Sequence, residues 1–438
     1  MSDHLIRGGR VTDPSQGIDE IMDVMVRDGR IECIAKDIKD IKEVKEIDAR
    51  GLIVCPGLID MHVHLREPGR EDEETIASGT EAAARGGFTS IACMANTKPV
   101  VDTATVVKMI KEKARDVGWV NVWPVGAMTK GLEGKELVEM GDMLKSGACA
   151  FSDDGRGVMD AEVMRRVLEY AKMFDIPMIV HAEDRNLSKK GQMNEGYYST
   201  LLGLRPIPAE AEETMVARDI LLARLTGARV HFTHVSTGGS VELIRRAKKV
   251  CSNLTCDVTP HHLVLTDADL IDYNTDLKVN PPLRSKDDVK ALIMGLKDGT
   301  IDAIASDHAP HAPQEKECEF EYAAFGMIGL ETTVSLMLTH IVGKNILSIG
   351  RLIEKMSVNP AHILKMDTHG SGSLKEGSSA DITFIDTKAE VKVDRTKMAS
   401  LSRNTPFNGW RLTGKAVLTM VNGNIVSGDA LEKEAVKA

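Results

Sequence analysis

Residues 60–68 read DMHVHLREP and set two imidazoles two positions apart, just after the apolar run LIVCPGLI and just before an arginine. On a strand, alternate side chains share a face, so His62 and His64 point together while Met61 and Val63 point the other way. Two neutral imidazoles side by side suit a divalent ion; alone, the pair would serve as well as hydrogen-bonded core histidines. Further candidates fall at the ends of other apolar runs: Asn96 after GFTSIACM, Asp154 after ACAFS, His181 in PMIVHA, His234 in ARVHFTHV and Asp307 after TIDAIAS. Singly, an aspartate after a strand caps a helix and a lone histidine hydrogen-bonds in a core. Four histidines and two aspartates together exceed what one four-coordinate ion with room for water can use, so two ions are implied. The expected grouping is His62, His64 and Asp307 on one ion and His181 and His234 on the other, with Asp154 bridging across about 3.5–4 Å.

Such a set needs a scaffold that brings distant residues to one rim. Eight short apolar runs lie between residues 53 and 306, separated by amphipathic segments such as TATVVKMIKEKARDVG and DAEVMRRVLEYAKMFD, several of them closed by glycine. Strand then helix, repeated, indicates an α/β fold of the (β/α)8 barrel type, whose active sites lie at the C-terminal ends of the strands. The ends of the chain read differently, with short alternating runs and the hairpin signals VRDGRIE and MVNGNIV. Neither end is long enough to bury a sheet alone, so both are expected to join in one small β-sandwich. The expected organisation is 1–55 and 366–438 as the two parts of the sandwich and 56–365 as the barrel.

Composition narrows the function classes. The chain has 438 residues, 42% hydrophobic and 27% charged, enough for a large core. A formal charge of -10 without a basic block disfavours a nucleic-acid surface. The start MSDHLIRGGRV lacks a signal-peptide core, and no run approaches the roughly 18 apolar residues that cross a bilayer, so a cytoplasmic chain away from membranes is expected. The seven cysteines show no CxxC spacing and read as reduced structural thiols, which leaves metal binding to histidine and aspartate.

DMHVHLREP and ASDHAPHAPQEK, far apart in the chain, resemble the two signatures of the amidohydrolase superfamily and, within it, of the type I dihydroorotases. The likeness runs through MANTKP, FSDDG, IVHAED, THVST, TPHHL, KVNPPLR, FGMIGLET and NTPFNGW, essentially the whole chain. It implies reversible cyclisation of N-carbamoyl-L-aspartate to L-dihydroorotate with loss of water, the third step of pyrimidine synthesis. It also implies two divalent ions, with zinc preferred although cobalt and manganese accept the same donors. In the ring-opening direction metal-bound hydroxide attacks the amide carbonyl and Asp307 carries the proton to the leaving nitrogen. Arg66, Asn96 and His311 would surround the substrate carboxylate, Asn280 would contact the ring, and Phe325 and Gly326 would place backbone groups against it.

Many superfamily members bridge their metals with a carbamylated lysine at the end of strand 4, but ACAFSDDG has none, and type I dihydroorotases resemble this chain in using aspartate. Family spacing to the next ligand histidine favours Asp154 over Asp153, with Gly155 expected to let the backbone approach closely. His231, three residues before His234, is expected on the opposite strand face outside the site, with His261 or His262 as support. The charged, helix-poor HAPQEKECEFEYAAFG is expected to be a mobile lid. Rival readings are an allantoinase, a dihydropyrimidinase or hydantoinase, and a non-catalytic scaffold for aspartate transcarbamoylase. Arg66 and the missing lysine count against dihydropyrimidinase and hydantoinase. A homodimer and a transcarbamoylase association are expected by family likeness alone.

Overall fold

The computed structural model describes residues 3–39 and 44–428. Eight parallel strands pair in sequence order: Leu58–Val63, Phe88–Cys93, Asn121–Gly126, Ala150–Phe151, Pro177–Val180, Arg229–Phe232, Leu254–Val258 and Ala303–Ile304. The ring closes where the His64 N–H donates to the His308 carbonyl at 2.8 Å and Val63 bridges His308 in parallel. All eight expected apolar runs supply a barrel strand, with one correction. LIVCPGLI is two strands of two sheets, Ile53–Pro56 outside the barrel and Leu58–Val63 within it, because the chain hands over at Gly57. A side chain at Gly57 would collide with Thr89, its Cβ falling 2.0 Å from the Thr89 hydroxyl, so a residue that cannot be seen in hydropathy marks the break.

Helices cover the ring, and their ends carry the expected chemistry. Ala161–Lys172 is capped by Asp160, whose carboxylate accepts from the N–H groups of Glu162 and Val163. Glu210–Thr226 and Lys286–Asp298 stop at Gly227 and Gly299, both in the left-handed conformation that glycine adopts without a Cβ penalty.

The termini join in a second, mixed sheet ordered Asn424–Gly428, Arg411–Val421, Ile382–Lys392, Ile53–Pro56, His4–Asp13, Ile18–Arg27, Arg30–Ala35, with Lys45–Asp48 also paired to His4–Asp13. Both hairpin signals are hairpins: Asp28-Gly29 and Asn422-Gly423 all take positive φ, as tight two-residue turns require. His4–Asp13 changes parallel partner along its length, pairing Lys45–Asp48 before a bulge at residues 7–8 and Ile53–Val54 after it. A buried cluster that includes Ile6, Val24, Val54, Ile382, Phe384 and Met420 fills this unit.

The sheet meets the barrel at the N-terminal ends of its first three strands, opposite the rim. The Gly57 N–H donates to the Asp381 carbonyl at 2.8 Å, the Thr383 hydroxyl donates to the Gly87 carbonyl at 2.6 Å, and Asn121 Nδ2 donates to Asp381 Oδ2 at 3.1 Å. The loop between the two long C-terminal strands instead reaches the rim, where Ser402 Oγ donates to the Glu73 carbonyl at 2.7 Å and Asn404 Nδ2 to the Ala309 carbonyl at 3.0 Å.

Candidate active site

Six side chains from strand ends far apart in sequence converge on the C-terminal rim. Asp154 lies at their centre: its Oδ2 is 3.5 Å from His62 Nε2 and 3.6 Å from His64 Nε2, and its Oδ1 is 3.6 Å from both His181 Nδ1 and His234 Nε2. Asp307 Oδ1 lies 3.5 Å from His62 Nε2 and 3.3 Å from His64 Nε2, on the same side as that first pair. His181 Nδ1 and His234 Nε2 are 3.1 Å apart. All six residues are buried.

The donors fit divalent cations. Ligands at about 2.0–2.2 Å in a tetrahedral shell stand roughly 3.3–3.6 Å from one another, the spacing of most of these pairs. His62 Nε2 and Asp154 Oδ1 are fully buried without a hydrogen-bond partner, a costly state unless each faces a cation. Three of the outward ring nitrogens are engaged: His62 Nδ1 faces Thr233 Oγ1 at 2.8 Å, His64 Nδ1 faces Asn96 Oδ1 at 2.9 Å, and His181 Nε2 faces Glu183 Oε2 at 3.0 Å, whereas His234 Nδ1 is buried with no hydrogen-bond partner among the described residues. An amide oxygen and a carboxylate can only accept, so the His64 and His181 protons sit there and their lone pairs are aimed into the cluster. Burial alone would push the Asp154 carboxyl up, but His62, His181 and His234, when protonated, hold it well below the ordinary range; Asp307 is likewise held down, chiefly by protonated His64 and His62.

Asp153 faces elsewhere, accepting from the Met128 N–H at 2.8 Å, the Thr129 N–H at 3.0 Å and the Thr129 hydroxyl. Gly155 is needed for a different reason from the expected close approach. Its φ is +75°, while an added Cβ would meet only Asn96 Nδ2, at 3.7 Å. Non-glycine residues in the left-handed region include His234, Asp307 and Arg66, at φ of 39°, 48° and 59°. Each lies beyond the end of its strand, so a turn rather than strand alternation aims it inward. This corrects the placing of His231. Its ring is buried beneath the cluster, with Nε2 2.8 Å from Asp257 Oδ2, and Asp257 also accepts from Thr233 Oγ1 and from the His234 N–H.

A cavity of about 230 Å³ opens on the cluster and is lined by Arg66, Asn96, Asn280, His311, Phe325 and Gly326 together with the metal-ligand candidates His64, Asp154, His181, His234 and Asp307. A larger cavity of about 1100 Å³ adjoins it at His311 but holds none of the six clustered residues. Arg66 Nε is 3.0 Å from the Pro310 carbonyl and from Glu73 Oε2. Asn280 Nδ2 donates to Glu183 Oε2 at 2.9 Å, and His262 supports the same loop, its Nε2 3.0 Å from the Pro281 carbonyl. His311 Nε2 faces the Phe325 carbonyl at 2.8 Å. Gly326, at φ 141°, has no room for a side chain, because an added Cβ would sit 2.7 Å from Ala309 Cβ.

Glu183, Thr233, Asp257 and Glu73 are missing from the sequence reading. Glu183 and His181 are two residues apart, the same spacing that singled out His62 and His64, so that signal was available. Glu73 lies in REDEET, which reads as a solvated charge run, yet its side chain is only 2% exposed.

The expected lid is a tethered strap. Lys316, within Pro313–Lys316, donates to the Ala324 and Gly326 carbonyls at 2.8 and 2.9 Å, and Lys278 Nζ donates to the Phe320 and Glu321 carbonyls at 2.8 and 3.0 Å.

Among solved structures the fold is similar to an L-hydantoinase (dihydropyrimidinase) from Arthrobacter aurescens, at TM-score 0.89 and 30% identity over 98% of this chain and 96% of that one. It is also similar to a dihydropyrimidinase from Brevibacillus agri, at TM-score 0.85 and 24% identity over 98% and 95% of the two chains. Residues 51–240 match the model of the Dihydro-orotase-like family. Sequence likeness is higher to dihydroorotases: that of Acetivibrio thermocellus is 52% identical over 96% of this chain and 98% of its own length, and that of Geobacter metallireducens 53% identical over 96% and 99%. With half of all aligned residues shared from end to end and the rim cluster in place, the chain belongs to the dihydroorotase family.

Proposed function

We propose that this protein is a dihydroorotase that interconverts N-carbamoyl-L-aspartate and L-dihydroorotate in pyrimidine synthesis, using two divalent ions, zinc by preference. The barrel, expected over 56–365 and entered at Gly57, is the catalytic unit, and the segments before and after it support it. The observation that carries the reading is Asp154, each of whose oxygens faces its own pair of histidine nitrogens at 3.5–3.6 Å. His62, His64 and Asp307 would hold one ion, His181 and His234 the other, with Asp154 shared. Bound there, the ions polarise the amide carbonyl and make water a nucleophile at neutral pH.

The remaining steps belong to the chain. Arg66 offers its fork to the substrate carboxylate, with His311 and Asn96 beside it, so the ring enters in one orientation. Asn280 and the backbone at Phe325 and Gly326 flank the ring. The Asp307 carboxylate, at the cavity wall, takes the proton of the attacking water and returns it to the ring nitrogen as the C–N bond breaks; in the cyclising direction it withdraws the ureido proton. Structural likeness to hydantoinases reflects the shared barrel. Asp154 where many superfamily members have a lysine counts against a hydantoinase or dihydropyrimidinase, and Arg66, largely buried at the cavity, favours a ring that carries a carboxylate.

The test is an assay of purified protein with N-carbamoyl-L-aspartate and L-dihydroorotate beside hydantoin and allantoin, with metal analysis of protein purified without chelator. Turnover confined to the first pair with two ions per chain is expected; trace metal, or preference for hydantoin or allantoin, overturns the reading. Asp307→Asn is expected to lower kcat by about 10³-fold or more with the fold and melting temperature kept.

A further inference from the structure

We propose that Glu73 is the positioning residue of the carboxylate clamp: it holds Arg66 and His311 in register and so sets the preference of the site for a ring bearing a carboxylate. The inference rests on the dihydroorotase reading. An anion buried beside a pocket for anions weakens long-range attraction, so its presence calls for a local cause.

The geometry supplies one. Glu73 Oε2 lies 3.0 Å from Arg66 Nε, while Oε1 lies 3.0 Å from Arg70 Nη2 and 3.2 Å from His311 Nδ1. One carboxylate therefore touches both members of the clamp, which lie on loops after the first and last barrel strands. Nε donates to the Pro310 carbonyl beside the Glu73 carboxylate and Nη2 stands 3.3 Å from His311 Nε2, which leaves Nη1 for substrate; among the described residues Nη1 has no hydrogen-bond partner. Arg66 is only 13% exposed, and burial pulls its guanidinium below the ordinary range, with Glu73 foremost among the charges that offset this. Glu73 is itself fixed, because Ser402 Oγ holds its carbonyl at 2.7 Å and its N–H donates to the Arg70 carbonyl at 2.9 Å.

Glu73, His311 and Glu315 also bring ligand atoms within 4.8 Å of one another, but this is no third metal site. Arg70 Nη2 already stands 3.0 Å from both carboxylates and fills the place of a cation. Through Glu315 the strap is tied to the same network, its Oε2 lying 3.2 Å from His311 Nδ1.

The experiment compares wild-type holoenzyme with Glu73→Gln, which keeps shape and removes charge. Two ring ligands are used, L-dihydroorotate and 5,6-dihydrouracil, the same ring without the carboxylate, each measured as a binding or inhibition constant alongside KM, kcat and metal content. Glu73→Gln is expected to weaken dihydroorotate about tenfold more than dihydrouracil and to raise KM about tenfold, with kcat reduced less than roughly threefold and metal content as in wild type. Glu73→Asp is expected to recover part of the loss. Equal weakening of both rings, loss of metal, or an unchanged KM overturns the proposal and leaves Glu73 a structural ion pair. A wild type that binds dihydroorotate but turns over only another cyclic amide defeats the dihydroorotase reading alone, and the ring comparison still decides for or against Glu73. A wild type that does not distinguish the two rings overturns the inference itself.

Discussion

A ligand histidine must present a lone pair, and what presents it is the partner of its other nitrogen. Here Asn96 and Glu183 fix the tautomers of His64 and His181, and the Thr233 hydroxyl, which donates to Asp257 at 3.1 Å, is left to accept from His62 Nδ1. The histidines themselves were legible from spacing and from their place after apolar runs. The aspartate that faces both histidine pairs was not legible from alternation, because the strand stops at Phe151 and both Asp153 and Asp154 lie beyond it. The two should therefore fail differently. Asp154→Ala removes the carboxylate that, alone among the described residues, faces both histidine pairs, and metal content measured by atomic emission should fall below one ion per chain. Asp153→Ala should retain metal but strand the Met128 N–H, the Thr129 N–H and the Thr129 hydroxyl, a loss of about 2–4 kcal/mol visible as a lower melting temperature. The reverse pattern would exchange the two roles.

At the scale of elements, periodicity identified the eight barrel strands and both terminal hairpins, but it misjudged segments whose polar residues are buried. HAPQEKECEFEYAAFG has the composition of a solvated lid, yet Lys316 is only 5% exposed and its ammonium satisfies two carbonyls of its own loop. A lysine at such a position cannot be told from a surface lysine by hydropathy, because its identity is set by contacts made eight and ten residues along the chain. The strap carries His311 at one end and Phe325 and Gly326 at the other, so its tether positions three groups at the cavity. Lys316→Met keeps the length of the side chain and removes the donor. The freed carbonyls should loosen the strap by about 2–3 kcal/mol, giving faster protease cleavage within residues 312–326 and a higher KM while metal content stays unchanged. Wild-type cleavage rates in the variant would mean that the remaining ties, Lys278 among them, hold the strap without Lys316.

The whole molecule is a barrel with a second sheet at its floor, and the seam between them centres on Asp381. This carboxylate joins segments distant in sequence, accepting from Asn121 Nδ2 of the third barrel strand and, at 2.7 Å, from the Asn422 N–H of a terminal hairpin. That both ends of the chain pair was legible from their hairpin signals; where they dock was not, since Asp381 falls in a Ser-Ser-Ala-Asp stretch that reads as an ordinary loop. Burial pushes the Asp381 carboxyl up to about 6, outweighing its donors Asn422, Ser379 and Asn121. An unfolded chain would titrate the same group near its ordinary value of about 3.9. Between those values the folded protein keeps a proton at Asp381 that the unfolded chain has released, so this group's contribution to folding stability falls as pH rises from about 4 to about 6, by about 2–3 kcal/mol, and levels off above. Asp381→Asn abolishes that titration, and whatever its altered hydrogen bonds cost is the same at every pH. Urea unfolding of the two proteins should therefore show the variant gaining on wild type across this window by that amount, whereas a constant difference from pH 4 to 7 would mean that the seam carboxylate is ionised throughout and that the donors around it outweigh its burial.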